Sequence, residues 1–280
     1  NNVSSSTHRF SAEYFYQNNG NINVAQYHQP SSTHTHKRYR YVHTYDKRNQ
    51  ITSANYSWWN GSSWQNPSDF DVSGITYDRD GNHSALTRRT DTGSANTYGY
   101  SYASGSNRLT SVNKNASNIS LGYDRNGNMT SLGGSYEIIS ASYDWRNLPL
   151  SYTDEDNFRS YKYDHSGNRT YKSLGGTRYV RGAFGEVLAV YTSSSVDYHN
   201  ILRPDGAVIG RRDGSNRLYY HRDHLGSTRA VVNASGSVVE TQDYYPFGLA
   251  ELVPNTFGMP GRSTVFGNLA KEKFTGHELD

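Results

Sequence analysis

The sequence predicts an all-β fold, made of repeated antiparallel β-hairpins that join side by side into one continuous, curved or spiralling sheet. Three observations support this prediction. The composition is poor in aliphatic residues and rich in Tyr, a ten-residue string that begins with Tyr-Asp recurs along the chain, and segments of alternating polarity follow its copies. Such alternation is typical of a half-buried strand.

The composition favours a thin structure with little aliphatic core. Apolar residues make up 34% of the 280 residues, and 25 of these are Tyr. Counting the 26 Gly in place of Tyr leaves the fraction at about a third, whereas ordinary soluble domains reach about 45–50% on that count. An aromatic content of 14% and a net charge of only +3 argue against disorder. We therefore expect a mostly β wall that is packed by Tyr rings.

Charge, cysteine content and hydropathy exclude several classes of protein. The basic residues are scattered, which is not the pattern of a nucleic-acid binder. The absence of Cys excludes a disulfide framework and a thiolate site. No apolar run approaches the roughly 18 residues that a membrane span needs. The chain begins without Met, in mid-pattern and with no visible signal peptide, so we expect an internal piece of a longer protein.

The repeat is the most informative feature of the chain. "YDRNGNMTSL" begins at Tyr123, and close variants begin at Tyr77, Tyr143 and Tyr163. Tyr-Asp pairs start at residues 45, 77, 123, 143 and 163, and Tyr100 fills the gap as a degenerate copy, which makes the spacings 32, 23, 23, 20 and 20. A period near 20 residues is too short for a helix pair, and it suits one hairpin with its return strand.

The residue types of the unit predict a hairpin with a defined turn. Tyr favours strands and has a polar tip, Asp starts an Asx-turn, and Gly-Asn tolerates the positive φ that hairpin turns need. We expect Tyr123, Tyr143 and Tyr163 to occupy equivalent places on neighbouring hairpins, about 10 Å apart across two strand spacings. The predicted motif residues are Tyr45, Asp46, Tyr77, Asp78, Gly81, Tyr123, Asp124, Gly127, Tyr143, Asp144, Tyr163, Asp164 and Gly167.

These strings resemble the YD repeat of the RHS/YD-repeat family over residues 39–280. "YYHRDHLGSTRAVVNASGSVVETQDYYPFG" at 219–248 resembles the RHS core signature, and "FTGHELD" at 274–280 resembles the start of the next core element. The signature residues that we carry over are His221, Asp223, His224, Gly226, Pro246, Phe247 and Gly248.

The resemblance implies a fold and a role. Proteins of this family wind a β-sheet ribbon into a hollow shell or tube, which in bacterial toxins encloses a C-terminal toxic domain, and teneurins use a similar shell for adhesion. An aspartyl autoprotease of the family would lie beyond Asp280, so we assign no catalytic residue, and we expect a non-enzymatic segment without cofactor or metal. The predicted divisions are a divergent N-terminal region at 1–38, the repeat sheet at 39–200 and a core-associated region at 201–280.

Two segments resemble metal sites, but the sequence favours a plain turn in the first and an exposed strand in the second. The Asp-x-Asp-Gly-Asn of residues 78–82 is like the start of a calcium loop, but the twelfth position, which should be Glu, is Arg89. His28, His34 and His36 place two imidazoles on one strand face, which could bind zinc weakly, but no nearby carboxylate completes the ligand set.

Two segments contain catalytic residue types in an unfavourable arrangement. "HRDHLGS" at 221–227 contains Ser, His and Asp, but triads are usually assembled from distant segments, and here these residues are expected to hold a turn. The acidic run at 154–156 places its carboxylates on one loop, whereas glycoside hydrolysis needs two of them about 5–10 Å apart across a cleft.

The densest aromatic cluster precedes the regular repeats. "YSWWNGSSW" contains Trp58, Trp59 and Trp64. Aromatic faces stack on sugars, so these residues are candidates for glycan contact. The alternative is that they close one end of the sheet or join two walls.

Three functions follow from these observations. The first is a segment of a secreted bacterial protein whose shell encapsulates a C-terminal toxin. The second is an extracellular structural protein whose ribbon forms a tube or filament, and the third is a cell-surface adhesion or glycan-binding module. The expected partners are flanking repeats or other copies of the chain, the enclosed toxin and glycans, with no nucleic acid and no membrane span.

Overall fold

The computed structural model describes residues 11–29, 37–90, 93–133, 138–154, 157–242 and 244. These residues form antiparallel strands joined by tight turns, with one short 3-10 segment at Leu174–Gly176. The predicted all-β fold class is therefore confirmed. Within the described part of the chain, no helix is long and apolar enough to cross a bilayer.

The first seven strands cover the N-terminal region and the first copies of the repeat. They are β1 (Ser11–Tyr16), β2 (Ile22–Gln29), β3 (Lys37–Tyr45), β4 (Ile51–Trp59), β5 (Trp64–Gln65), β6 (Val72–Tyr77) and β7 (His83–Arg89). The next strands are β8 (Ala95–Tyr102), β9 (Leu109–Lys114), β10 (Ser117–Tyr123), β11 (Met129–Leu132), β12 (Ile138–Tyr143), β13 (Pro149–Asp154) and β14 (Phe158–Tyr163).

The remaining strands lead into the predicted core signature. They are β15 (Arg169–Lys172), β16 (Thr177–Arg181), β17 (Val187–Thr192), β18 (Ser195–Leu202), β19 (Val208–Asp213), β20 (Asn216–Arg222), β21 (Thr228–Asn233) and β22 (Val238–Thr241).

The chain divides into two compact units. The first comprises residues 1–76, 86–96 and 216–280, and the second comprises residues 77–85 and 97–215. The three divisions predicted from the sequence, and the closed shell or tube, remain predictions.

In the first unit, successive strands from β1 to β4 pair as antiparallel neighbours. Their buried face is aromatic, as the composition predicts. The rings of Tyr27 and Tyr39 stack with centroids 5.3 Å apart, Tyr39 contacts Tyr56 at 6.1 Å, and Tyr56 meets Phe70 edge-on at 5.4 Å. Tyr39 is 0% exposed and Tyr56 is 1% exposed. Tyr and Phe rings thus supply much of the buried surface of these strands.

In the second unit, consecutive strands from β8 to β19 pair with one another as antiparallel neighbours. This arrangement is the predicted ribbon of sequential hairpins. A small apolar cluster of Tyr179, Val190 and Tyr198 is buried on it, and the Tyr77 ring packs on His83 with centroids 4.9 Å apart.

The repeats share one register. The pairing shifts by one residue immediately before Tyr123, Tyr143 and Tyr163, each of which ends its strand opposite the residue six positions later. Such a shift is the signature of a β-bulge, which increases the local twist. The three Tyr residues therefore lie at the same position of successive hairpins.

Candidate functional site

The carboxylate of Asp124 lies at the centre of a representative turn. Its Oδ1 accepts hydrogen bonds from the backbone N–H groups of Asn126 and Asn128, both at 2.9 Å, and its Oδ2 accepts one from the Asn128 side chain at 2.9 Å. The Gly127 N–H donates to the Asp124 carbonyl at 3.2 Å. The hydrogen bond from the Asn128 side chain is the main cause that holds the pKa of Asp124 below its usual value. One carboxylate thus organises the whole turn.

Other copies repeat this arrangement. Asp78 and Asp164 each accept two backbone hydrogen bonds at 2.9 Å and one from an Asn side chain at 3.0 Å. Asp144 accepts backbone bonds from Arg146 at 2.8 Å and Leu148 at 3.0 Å, and the Arg146 side chain replaces the Asn at 2.9 Å. Protein donors thus bond to both carboxylate oxygens in each of these turns.

The first copy follows the same plan in the other unit. The Tyr45 hydroxyl donates to the Ile22 carbonyl at 2.7 Å. The Oδ1 of Asp46 accepts from the backbone N–H groups of Arg48 at 2.8 Å and Gln50 at 2.9 Å. The Tyr-Asp pair therefore combines a contact to the preceding hairpin with a turn of its own.

The fourth position of the turn, counted from Asp, requires left-handed backbone. Gly81, Gly127 and Gly167 occupy it with φ values of 89°, 88° and 83°. Asn49 and Asn147 occupy it in two further copies with φ of 62°. Asn is among the few residues with a side chain that adopt this conformation readily.

Tyr hydroxyls connect each hairpin to the one before it. The Tyr143 hydroxyl donates to the Met129 carbonyl at 2.6 Å, and Met129 is the register partner of Tyr123. The Tyr163 hydroxyl donates to the Pro149 carbonyl at 2.8 Å, and Pro149 is the register partner of Tyr143. Each Tyr thus binds the residue that faces the previous Tyr, a series that we call the tyrosine ladder.

The tyrosine ladder continues toward the N-terminus of the same unit. The Tyr123 hydroxyl donates to the Leu109 carbonyl at 2.6 Å, and the Tyr102 hydroxyl donates to the His83 carbonyl at 2.9 Å. Tyr102, two residues after the predicted Tyr100, therefore anchors the degenerate copy. The reason is that Tyr102 ends its strand directly before the turn, opposite Leu109.

Asn side chains form a second row of contacts between successive turns. The Oδ1 of Asn147 accepts hydrogen bonds from the side chains of Asn126 at 3.1 Å and Asn128 at 2.9 Å. Neighbouring turns are thus tied by side chains as well as by strand pairing. Equivalent bonds run from Asn82 to Asn107 at 2.9 Å, and from Asn19 and Asn21 to Asn49 at 2.8 and 3.0 Å.

The predicted core signature contains a buried ion pair. The Oδ1 of Asp223 accepts backbone hydrogen bonds from Leu225 and Ser227, both at 3.0 Å, as in the repeat turns. Its Oδ2 accepts from the Nε of Arg229 at 2.8 Å, and the two side chains are 1% and 8% exposed. Asp223 thus holds its turn and the Arg229 side chain together.

Arg229 joins this turn to two aromatic rings of the same unit. Its guanidinium lies 4.7 Å from the ring centroid of Tyr27 and 5.0 Å from that of Tyr244. The Tyr244 hydroxyl donates to the Thr228 carbonyl at 3.0 Å, and Thr228 is the register partner of Arg222. Tyr244 therefore makes the same contact as the tyrosine ladder.

The other signature residues lie around the turn. The His224 ring meets Tyr14 at 4.4 Å, and burial, the main cause, raises the pKa of Tyr14 above its usual value. Gly226 has a φ of 83°, and His221 lies in β20. Pro246, Phe247 and Gly248, at 246–248, lie outside the described residues.

The tryptophans are divided between two faces of one sheet. Trp59 pairs with Trp64, and their rings meet edge-on with centroids 5.6 Å apart. Trp58 lies opposite Tyr39, and side chains alternate along a strand, so it points to the buried aromatic face. The structure therefore brings together Trp59 and Trp64 and separates them from Trp58.

The predicted His group and acidic run lie only partly within the described residues. His28 lies in β2, while His34 and His36 lie outside the described residues, as do the predicted acids at 155–156. No group of three or more His, Asp or Glu side chains in the described ranges is placed to hold a metal ion. Asp154 forms an ion pair with Arg159.

Several of these positions were not found from the sequence. Asn147 and Arg229 act through partners in other hairpins, which no local pattern indicates. Arg38 and Arg40 lie beside Trp59 and Trp64, and the alternation of Arg and Tyr in "KRYRY" was the available signal, because it places both guanidinium groups on the face opposite the Tyr rings.

No family model matches the chain. It is 28% identical over 180 residues to the tRNA3(Ser)-specific nuclease WapA of Bacillus spizizenii, and 29% identical over 180 residues to the tRNA nuclease WapA of Bacillus subtilis strain 168. Each match covers 62% of this chain and 7% of the relative, so the chain corresponds to a small part of those proteins.

Among solved structures, the crystal structure of TcdB2-TccC3-Cdc42 aligns with 95% of this chain and 21% of that chain, at 12% identity and a TM-score of 0.36. The sequence similarity thus relates the chain to bacterial proteins that are named as nucleases. The expectation that this segment is non-enzymatic remains a prediction.

Proposed function

We propose that this chain is a structural wall segment of a secreted bacterial toxin of the RHS/YD-repeat type, in which the ribbon encloses a C-terminal toxic domain. The observation that carries this proposal is the tyrosine ladder. The hairpins of Tyr123, Tyr143 and Tyr163 are each bonded to the previous hairpin by strand pairing and by a Tyr hydroxyl, so the ribbon can extend without a thick core. A wall of this kind suits a hollow container.

The hydrogen bonds and the ion pair of the acidic side chains also support a structural role. The Asp carboxylates of the repeated turns accept backbone hydrogen bonds, and Asp223 is paired with a buried Arg. Carboxylates that are used in this way are poor candidates for acid–base chemistry. The similarity to the WapA nucleases covers only 7% of their length, which leaves room for a nuclease domain elsewhere in them. We propose that in this protein, too, any toxic activity resides outside the wall.

Electron microscopy of the full-length native protein tests this function. Closed particles with density in the lumen are expected. Open tubes or filaments with an axial repeat would contradict encapsulation and would assign the chain to a structural polymer.

Protease protection tests the enclosure independently. A reporter domain placed after Asp280 in the full-length protein should resist proteolysis while the wall is intact. The double variant Tyr143→Phe, Tyr163→Phe removes two hydroxyls of the tyrosine ladder and should speed its digestion. Tyr16→Phe, at a residue that is 62% exposed, is the matched control. Equal digestion in wild type and in a denatured sample would overturn the proposal.

A further inference from the structure

One face of the β3–β5 sheet carries an unusual combination of side chains. Arg38 and Arg40 are two positions apart on β3, so both project to the same face. Arg40 is the register partner of Ser57, which is two positions from Trp59 on β4, and Trp59 pairs with Trp64 on β5. Strand alternation therefore gathers two cations and two indoles opposite the Tyr-packed face. We call these four residues, Arg38, Arg40, Trp59 and Trp64, the Arg-Trp face.

The side chains of the Arg-Trp face contact one another directly. The Arg40 guanidinium lies 4.0 Å from the ring centroid of Trp64. The Arg38 guanidinium lies 5.4 Å from Trp64 and 5.8 Å from Trp59. Cation–π contacts at these distances orient the guanidinium groups. Arg40 is fixed further by a hydrogen bond from its Nε to the Ser57 hydroxyl at 3.0 Å.

The two arginines of the Arg-Trp face lack an ion-pair partner in the part of the chain that the structure describes. Among the described residues, no carboxylate forms an ion pair with Arg38 or Arg40, and the Nε of Arg38 is buried without a hydrogen-bond partner. Burial, and then the nearby charge of Arg38, lower the pKa of Arg40. Two adjacent cations that are partly withdrawn from water are stabilised by an incoming anion. Arg is suited to this task because its planar fork binds carboxylate and phosphate bidentately.

We infer that the Arg-Trp face is a binding site for an acidic saccharide. The arginine pair takes the carboxylate or phosphate group of the sugar, and the neighbouring indoles contact the C–H surface of the ring. A saccharide is favoured over a nucleic acid because the site offers one pair of cations. A nucleic acid requires a longer basic track that neutralises several phosphates. This inference is independent of the proposed function, since a wall segment without a saccharide site would enclose a toxin equally well.

Titration of the 280-residue chain with three saccharide probes tests the inference. Isothermal calorimetry would compare an oligomer of galacturonic acid, an oligomer of galactose 6-phosphate and a neutral oligomer of galactose, all of equal length. The acidic oligomers should bind and the neutral one should not, and preference between the first two separates a carboxylate ligand from a phosphate ligand. Binding should weaken at high salt, since a Debye length of about 3 Å at 1 M screens exposed charges.

Variants link binding to the named residues. Arg38→Gln and Arg40→Gln should each weaken binding of the acidic oligomer at least about tenfold, the loss expected for a charge-assisted pair. Trp64→Phe should weaken it less. Arg108→Gln is the matched control, because the Arg108 guanidinium also lies over an aromatic ring, 5.7 Å from that of Tyr123, but in the other unit. It should leave affinity unchanged.

Three outcomes would overturn the inference. They are equal affinity for acidic and neutral oligomers, no binding of any saccharide by wild type, and tighter binding of an oligothymidylate that the same Arg variants abolish. The first two use wild-type protein alone, so they remain decisive if a variant fails to fold. Circular dichroism of each variant establishes that it is folded.

Discussion

The hydroxyl of Tyr143 donates a hydrogen bond to the backbone carbonyl of Met129 at 2.6 Å, across the boundary between two successive hairpins. Met129 is itself the register partner of Tyr123, the equivalent residue of the previous repeat. The geometry that recurs in these repeats therefore includes a hydrogen bond that an isolated hairpin could not make. This bond is the natural place to test the cohesion of the ribbon.

Removing that hydroxyl should destabilise the protein modestly. Tyr143→Phe keeps the ring but leaves the Met129 carbonyl without its Tyr donor, and loss of one such bond costs about 0.5–1.5 kcal/mol. Urea denaturation monitored by circular dichroism measures the change. The same substitution at the exposed Tyr16 should shift the midpoint little, and an equal effect at both sites would contradict the role assigned to the Tyr143 hydroxyl.

Acid should weaken the repeated turns. The pKa values of Asp78, Asp124 and Asp164 are lowered in the folded protein from the usual 3.8, chiefly by Asn side-chain hydrogen bonds. The unfolded chain therefore binds more protons than the folded one near and below pH 3.8. The stabilisation is present above that pH and is lost as pH falls through the folded-state pKa values.

Asp124→Asn isolates one of these groups. The amide oxygen retains the two backbone acceptor contacts but does not titrate, so the variant should be less stable than wild type at neutral pH and should lose less stability on acidification. Denaturation midpoints at about pH 7 and about pH 3 measure this difference. Parallel pH profiles for the two proteins would show that Asp124 does not contribute to the acid response.

A side chain at Gly127 should strain the turn. Gly127 has a φ of 88°, and a Cβ added there would meet no atom within 4 Å, so any cost comes from the backbone conformation. Gly127→Val should lower the urea midpoint and accelerate hydrogen exchange around residue 127. Gly99→Ala, in β8 where the nearest atom would be 3.9 Å away, should be nearly neutral. Unchanged exchange in Gly127→Val would refute the turn assignment.

Asn147 adopts a left-handed backbone conformation and also accepts hydrogen bonds from the preceding turn. Asn147→Gly loses the bonds from Asn126 and Asn128 but tolerates the φ of 62°. Asn147→Ala loses the same bonds and adds a strained left-handed residue, which costs about 1–2 kcal/mol. Thermal unfolding of both variants should therefore rank Ala below Gly. The opposite order would show that the backbone at residue 147 relaxes out of the left-handed region.

Breaking the buried pair of Asp223 and Arg229 should have the largest effect. Arg229→Met leaves the Asp223 carboxylate, which is 1% exposed, without its cationic partner, and such changes cost about 3–5 kcal/mol. The double variant Asp223→Asn, Arg229→Met should recover part of the loss, because no uncompensated charge is left buried. Equal stability of the single and double variants would show that Arg229 acts through its contacts with the Tyr rings instead.

The sequence predicted the parts of this fold that depend on near neighbours. The turn of Asp124 follows from the Asp, Gly and Asn of one ten-residue string, because the hydrogen bonds of the Asp124 carboxylate lie within five residues. The contact of Arg229 with Tyr27 joins residues about two hundred positions apart, and no local pattern encodes it. Trp58 and Trp59 project to opposite faces of the sheet because side chains alternate along a strand. Predicting this needs the limits of the strand, and the run of aromatic residues does not indicate where the strand ends.

The hydroxyls of the tyrosine ladder all donate toward earlier residues, never toward later ones, in the hairpins described from Tyr102 to Tyr163. The ladder consequently has a direction that matches the direction of translation. A newly made hairpin finds its acceptor carbonyl already in place, so the ribbon can be assembled in order as it leaves the ribosome. Shortening the chain from its C-terminal side removes the last Tyr hydroxyl of the ladder and leaves the earlier hydrogen bonds intact. Shortening it from the N-terminal side removes the carbonyl that accepts the hydrogen bond of the first remaining Tyr.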